Sequence, residues 1–393
     1  MSAMEWVFWV CVCCLLYVYV GYPLVLALWA RWFPRPVTPD PDYLPPVSLI
    51  IAAYNEEAVI EEKLRNALSL DYPRDRLEII VASDGSEDCT NQIVEQFADE
   101  GVRLNAIFPR GGKTRALNLT IPTASHPIIV LSDANTMYQR DSIRQLVQYL
   151  KDPRVGSVTG DVKILNDSPE FGESEGAYYR YERFIQECES RIGSIIGVDG
   201  AMYAFKRDLF IPPSDEIILD DFVTSMNIVR QGYRVLYNRH ALAYENATPT
   251  IGQEIRRKSR IAAGGMQALL KGEGLPARGQ WRDWFMYLSH KLLRWFTPFF
   301  LIGALLSSAL SSASPLYLLA FWGQGIFYLL AALGWALSSR KLPAFLKLPF
   351  YFCMINYAVL LGVIKGLLGL QKVTWKKADR ELVALPNQKT TGL

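Results

Sequence analysis

Histidine is scarce in this sequence and cysteine is scattered. The chain has 393 residues, with 3 His and 6 Cys. Cys11, Cys13 and Cys14 crowd one apolar run, while Cys89, Cys188 and Cys353 stand alone. Such spacing encodes neither a metal-ligand framework nor a disulfide scaffold, and a reducing cytoplasm suits these thiols. Net charge is equally thin, because 41 Lys+Arg against 39 Asp+Glu leave +2. No basic excess points to nucleic acid, and there is no acidic tail. Internal repeats and low-complexity tracts are missing too. What the chain has in quantity is apolar surface: 50% hydrophobic residues, 20% charged ones and a mean hydropathy of +0.10. That is too apolar for a disordered or fibrous protein and too charged for a wholly membrane-embedded one.

The charges are unevenly placed. None falls between Trp6 and Ala30, between Trp295 and Ser339, or between Leu348 and Ile364. A spanning helix needs about 20 apolar residues. The first run is therefore one span, and it is too long and too poor in N-terminal basic residues for a cleaved leader. The second run holds two spans with a turn at Ser311–Pro315. The third is short, and reads as either a span or a re-entrant segment. Glu5 precedes the first run while Arg31 and Arg35 follow it, which orients residue 31 onward toward the cytoplasm. Lys291, Arg294, Arg340, Lys341 and Lys347 put both ends of the second run on that same side. The tail residues Lys372, Lys376, Lys377 and Arg380 read as cytoplasmic as well, so a third full crossing conflicts with the charge rule.

Between these runs lies a block of ordinary composition from 41 to about 250, the size of one α/β domain. The proline-rich stretch from Pro34 to Pro46 forms a stiff linker into it. Val47–Ala52, Leu77–Ala82 and Pro127–Ser132 read as buried strands. Glu56–Leu70, Cys89–Asp99 and Phe222–Gln231 read as helices. Such alternation predicts a doubly wound, mostly parallel sheet. Ligands of these sheets bind beyond the carboxyl ends of the strands. Three strands end in polar clusters there: Ala53-Tyr54-Asn55-Glu56, Ser83-Asp84-Gly85-Ser86 and Ser132-Asp133-Ala134-Asn135.

Each cluster has a plain reading beside a chemical one. Asp133 and Asn135 can present two oxygens to Mg2+ or Mn2+, or simply cap the next helix. Arg110-Gly-Gly-Lys113 can approach a phosphate, but it lacks P-loop spacing. Asp220 and Asp221 suit a helix N-terminus, and either can serve as a general base. Arg257 and Arg260 share a helix face. They can neutralise a leaving diphosphate or anchor to anionic lipid.

The order of these motifs along one chain is more telling than any of them alone. From about 45 to 300 the chain resembles the membrane-bound branch of family 2 glycosyltransferases with the GT-A fold. That branch includes the cellulose, chitin, hyaluronan and poly-N-acetylglucosamine synthases. The resemblance implies donor contacts at Ala53, Tyr54, Glu56, Asp84, Lys113, Asp133, Asn135, Arg257 and Arg260. It implies a divalent metal at Asp133 and Asn135, acceptor contacts at Asp199, Gly200 and Asp220, and Asp221 as the catalytic base. Three positions depart from the family pattern. Asn135 replaces a metal-motif Asp, Asp220 replaces a Glu, and Ile261 replaces the Trp that follows the last arginine. The implied organisation is a membrane helix (1–32), a GT-A domain (33–250), amphipathic interface helices with the Arg-x-x-Arg motif (251–294), membrane helices (295–370) and a basic tail (371–393).

The implied activity is inverting transfer from a nucleotide sugar, a UDP-sugar first, to a growing polysaccharide by a processive synthase. Its catalytic domain would lie at the cytoplasmic face of the cell (inner or plasma) membrane, in contact with membrane lipids. Ile261 and the few spans speak instead for one transfer to a lipid acceptor. A non-catalytic subunit of an export complex would be expected to lose Asp221, Asp133 or Arg260, and all three are present. The donor sugar, homo-oligomerisation and an export partner are left open.

Overall fold

The computed structural model describes residues 1–165, 172–246, 250–338 and 342–374. Arg340, Lys341, Lys376, Lys377 and Arg380 lie outside the described residues. An eight-stranded sheet organises the middle of the chain. Its strands are β1 (Val47–Ala53), β2 (Leu77–Asp84), β3 (Val102–Ile107), β4 (Ile128–Asp133), β5 (Met137–Tyr138), β6 (Val155–Leu165), β7 (Met202–Lys206) and β8 (Arg234–Asn246), in the order β3-β2-β1-β4-β7-β6-β8-β5. From β3 to β4 every pairing is parallel. β7 then runs antiparallel to both β4 and β6, and β8 is parallel to β6. The fold is thus α/β with a mostly parallel sheet, and β7 is the reversal that strand–helix alternation does not reveal.

The parallel half is covered on both faces, so β1, β2 and β4 are continuous apolar runs rather than alternating ones. Leu49 and Ile51 face one core layer while Ile50, Ile80 and Ile129 face the other; all are buried. The helices start later and end sooner than their sequence patterns suggest. The one expected over 56–70 spans Ile60–Leu68, and the one expected over 89–99 spans Thr90–Glu95. In both cases the preceding polar residues form the loop at the strand end instead.

Four helical stretches are long and apolar enough to cross a membrane: Ala3–Trp32, Trp281–Leu310, Pro315–Ala336 and Phe345–Leu367. The break between the second and third falls at Ser311–Ser314, where the sequence places a turn. The stretch from Trp281 to Arg294 is not a separate interface helix, because it continues through a π-helical turn (Tyr287–Leu292) into the apolar helix. A matching π turn at Tyr17–Gly21 interrupts the first helix, and the two turns meet through Tyr17 and Ser289, whose hydroxyls lie 2.8 Å apart. The third charge-free run is one unbroken helix, Ala344–Leu367. It packs along a further helix, Ile251–Lys271, which carries the arginine motif. Gly362 and Gly366 make that approach close: a Cβ on Gly362 would sit 2.4 Å from the Ser259 carbonyl oxygen. Small residues allow two helix backbones to touch in this way.

Candidate active site

The loop after β1 and the loop after β2 are laced together. The Asn55 N–H donates to Ser86 Oγ (3.1 Å), the Glu87 N–H donates to Asn55 Oδ1 (2.8 Å), and the Glu56 N–H donates to Thr90 Oγ1 (2.7 Å). Asn55 sits at φ 53°, a left-handed conformation that asparagine tolerates better than most residues. This lacing fixes Ala53, Tyr54 and Glu56 on the floor of a cavity, which Asp84, Arg110, Lys113, Asp133 and Asn135 also line.

Asp84 closes the next layer. Its two oxygens accept from the Gly111 and Gly112 N–H groups, both at 2.8 Å. Those amides therefore point at Asp84, not at an incoming phosphate, and the carboxylate latches the glycine loop. Gly85 makes room for the latch, because a Cβ there would lie 2.9 Å from Arg110 Cβ. Arg110 stacks its guanidinium 3.5 Å from the centre of the Tyr54 ring. Sequence reading passes over Arg110 as a site residue. Its only local signal is membership of the basic loop.

The loop delivers Lys113 at the first turn of helix Lys113–Thr120, where its Nζ meets Asp133 Oδ1 at 2.6 Å. Burial pulls the lysine down, but Asp133, Asp220 and Asp221 outweigh it and hold the ammonium above its ordinary value. One cation thus gathers three acids. The turn beneath Asp133 is pinned from behind. The Lys63 ammonium, fully buried, donates to the Thr136 carbonyl, and Asn66 exchanges two 2.9 Å hydrogen bonds with the Tyr138 backbone.

Asp220 and Asp221 open helix Asp220–Arg230. Asp221 Oδ1 accepts from the Phe222 N–H (2.7 Å). Its other oxygen packs on Gly200, where a Cβ would come within 2.5 Å. No larger residue fits at 200 without moving this carboxylate. Burial first, and the neighbouring Asp220 second, push the Asp221 carboxyl up to about 7. Burial also raises Asp220, and among the described residues its Oδ2 is buried without a hydrogen-bond partner. Asp199 stands on the same side. It is tied to Arg183 (3.5 Å), which holds Asp161 at 2.7 Å.

The two arginines of the motif part company. Arg260 faces the site: it donates to the Val373 carbonyl (3.0 Å) and the Lys372 carbonyl (3.3 Å), and burial lowers it to about 10 against the pull of Asp220 and Asp221. Arg257 is instead forked onto Glu254 at 2.8 and 2.9 Å, with Tyr179 at 3.1 Å. Glu254 lies three residues earlier on the same helix face and is almost fully buried, so it captures the nearer guanidinium. The structure therefore does not bring Arg257 to the acids that Arg260 faces. The segment after the last helix also reaches the site, with Val373 against Gly112, where a Cβ would lie 2.8 Å from Val373 Cγ1.

Among the described residues, no three His, Cys, Asp or Glu side chains converge as a closed metal cage. The open donor set fits a cation shared with a substrate. Mg2+ is commonly bound by one or two carboxylates together with phosphate oxygens, and Asp133, Asn135 and the orphaned Asp220 oxygen are donors of that kind.

A cavity at the carboxyl edge of a parallel sheet, lined and flanked by acids, lies where ligands of such sheets bind. The model of the family Glycosyltransferase like family 2 matches residues 45–264. The chain belongs to that family and is a glycosyltransferase. Poly-beta-1,6-N-acetyl-D-glucosamine synthase of Staphylococcus aureus is 28% identical over 236 residues, 58% of this chain and 57% of that protein. The Staphylococcus epidermidis enzyme of the same name is 29% identical over 231 residues, 57% and 56% of the two chains. The chain thus matches little more than half the length of these curated relatives. The solved mannosyltransferase PcManGT from Pyrobaculum calidifontis, in complex with GDP-Man and Mn2+, superposes with a TM-score of 0.71 at 25% identity, covering 93% of this chain and 100% of that one.

Proposed function

We propose that this glycosyltransferase moves a hexosyl group from a nucleotide sugar to the hydroxyl of a growing polysaccharide, with inversion, at the cytoplasmic face of a cell membrane. The observation that carries the reading is the Asp221 carboxylate. It is half-buried beside the buried Asp220, seated against Gly200, and near the lysine that also holds Asp133. Donor contacts fall to Ala53, Tyr54, Glu56, Lys113 and Asp133, with Asp84 holding their loop in place. Asp133 and Asn135 would hold Mg2+ or Mn2+, which when bound supplies positive charge to the diphosphate leaving group. The acceptor hydroxyl oxygen attacks the anomeric carbon and Asp221 takes its proton. The bond from that carbon to the phosphate oxygen breaks, and Arg260 receives part of the developing negative charge. Asp199, Gly200 and Asp220 shape the acceptor side. Arg257 is assigned to holding Glu254 and its helix.

The poly-N-acetylglucosamine synthases among the relatives support a polymer product, and a UDP-sugar is the donor that the family resemblance implies. A second reading, one transfer to a lipid-linked acceptor, is favoured by Ile261. It is 41% exposed on the arginine helix and offers no aromatic face on which to hold a sugar chain. The experiment uses the full chain in nanodiscs with UDP- and GDP-sugars, Mg2+ or Mn2+, and sizing of the product. A ladder from one donor without added lipid is expected. A single sugar on added lipid, with no ladder, selects the second reading, and no donor turnover under any condition refutes both.

A further inference from the structure

A second polar cavity lies apart from the donor site, where the sheet domain meets the apolar helices. It holds about 220 Å³ and is lined by Arg35, Ser194, Arg234, Trp281, Arg282 and Asp283, among others. Three guanidiniums thus share one cavity with one carboxylate. Among the described residues none of the three has an acidic oxygen within 4.0 Å. Arg234 spends its donors on the carbonyls of Gly193 (2.9 Å), Arg35 (2.8 Å) and Ser190 (2.8 Å), which fix its position without neutralising it. Burial, then Arg154 and Arg35, pull its basicity down to about 10, and the more distant Asp152 offsets only part of this, as expected where like charges crowd a buried site. The Arg282 Nε is buried with no hydrogen-bond partner among the described residues. A buried donor of this kind is costly to leave unpaired.

The cavity sits at the level where two apolar helices begin and end. Trp281 opens the helical stretch that runs to Leu310, and its ring stacks on Trp29 near the end of the first helix, with centroids 5.6 Å apart. Trp32, Phe33 and Trp281 are each more than 60% exposed. Large exposed aromatics at helix ends mark the headgroup level of a bilayer. A neighbouring cavity of about 600 Å³ adds Arg31 and Arg191 to an apolar wall of Ala27, Ala30 and Phe184. Asp283 offsets one of the three charges, since Arg282 and Arg35 both act on it, and the excess of guanidiniums beside an apolar wall matches a phosphate that carries acyl chains.

We propose that the Arg35–Arg234–Arg282 cavity binds the phosphate of an anionic phospholipid headgroup. A free phosphate has the same charged chemistry, so the experiment separates the two sources. The full chain in neutral detergent is mixed with phosphatidylglycerol, with phosphatidylcholine or with sodium phosphate. Bound lipid is counted by native mass spectrometry and Tm is measured in parallel. The wild type is expected to retain phosphatidylglycerol at least about fivefold over phosphatidylcholine and to gain Tm with it, while millimolar phosphate does neither. Each of Arg35→Gln and Arg282→Gln should cut that retention by about fivefold. Arg35 is exposed, so its variant keeps the test open if the change at the part-buried Arg282 disturbs folding. Arg282→Lys, which keeps the charge, should recover most of the binding. Equal retention of the two lipids, or wild-type retention in both Gln variants, overturns the proposal. A phosphate-induced Tm gain that the same variants abolish reassigns the cavity to a soluble anion.

Discussion

The two halves of the sheet place their functional residues by different means. In the parallel half, β1, β2 and β4 each end at the cavity, and each delivers its side chains from its own last residues. In the mixed half the parts come from afar. Gly200 precedes β7, Asp221 opens a helix between β7 and β8, and Arg260 rides a helix packed on an apolar one. The strand-end residues are therefore placed locally, while the acceptor side and the leaving-group arginine depend on how distant helices are held. Substitutions can break that contrast or sharpen it.

The largest effect belongs to Asp221→Asn. Loss of a positioned base should lower kcat by about 10³-fold, with nucleotide affinity in isothermal titration unchanged because the parallel half is untouched. If nucleotide binding falls as far as turnover, the two halves are not separable. Next comes the pair of arginines. Arg260→Ala should lower kcat by about 10²-fold through lost charge at the leaving group. Arg257→Ala should leave kcat within about threefold and lower stability by about 3 kcal/mol, because the buried Glu254 loses its forked partner. Thermal unfolding beside steady-state kinetics reads both, and the opposite pattern would return Arg257 to the leaving group.

Legibility follows the same division. Glu56, Asp84, Lys113, Asp133 and Asn135 converge because strand-end position is a local property, which hydrophobic runs and the polar residues after them reveal. What those patterns miss is partner choice. The resemblance assigns Asp84 to the donor, and its oxygens also accept from Gly111 and Gly112, a latch that strand-end position does not reveal. Arg257 shares a helix face with Arg260, but a buried Glu254 on that face decides where it points. The reversed β7, the π turns and the Gly362–Ser259 contact rest on tertiary packing, which short-range periodicity does not encode.

Gly362 tests the long reach of the acceptor side. A side chain there meets the Ser259 backbone, next to Arg260. Gly362→Leu should cost about 1–3 kcal/mol of stability by overpacking. It should also lower kcat about tenfold, through displacement of the arginine helix that carries Arg260. A loss of stability with full kcat would mean that the two helices do not set the position of Arg260.

The smallest expected effect is also the most specific. The free enzyme holds the Asp221 carboxyl near 7 by burial and by the adjacent Asp220. A raised carboxyl is protonated, and so useless as a base, below that value. The profile of kcat/KM should therefore climb about tenfold per pH unit below 7 and level off above it. Asp220→Asn removes the larger of the two neighbouring negative charges, Asp220 and Asp199, that raise it, and keeps the shape. The limb should then move to lower pH, by about one unit or less, and activity at pH 6 should rise relative to that at pH 8. Burial alone cannot produce such a shift, because the substitution leaves Asp221 as enclosed as before. A limb that stays in place would mean that the acid beside Asp221 does not tune it. A limb that vanishes in Asp221→Asn, while the residual rate persists, would locate the titrating group in the mixed half of the sheet rather than at the donor edge.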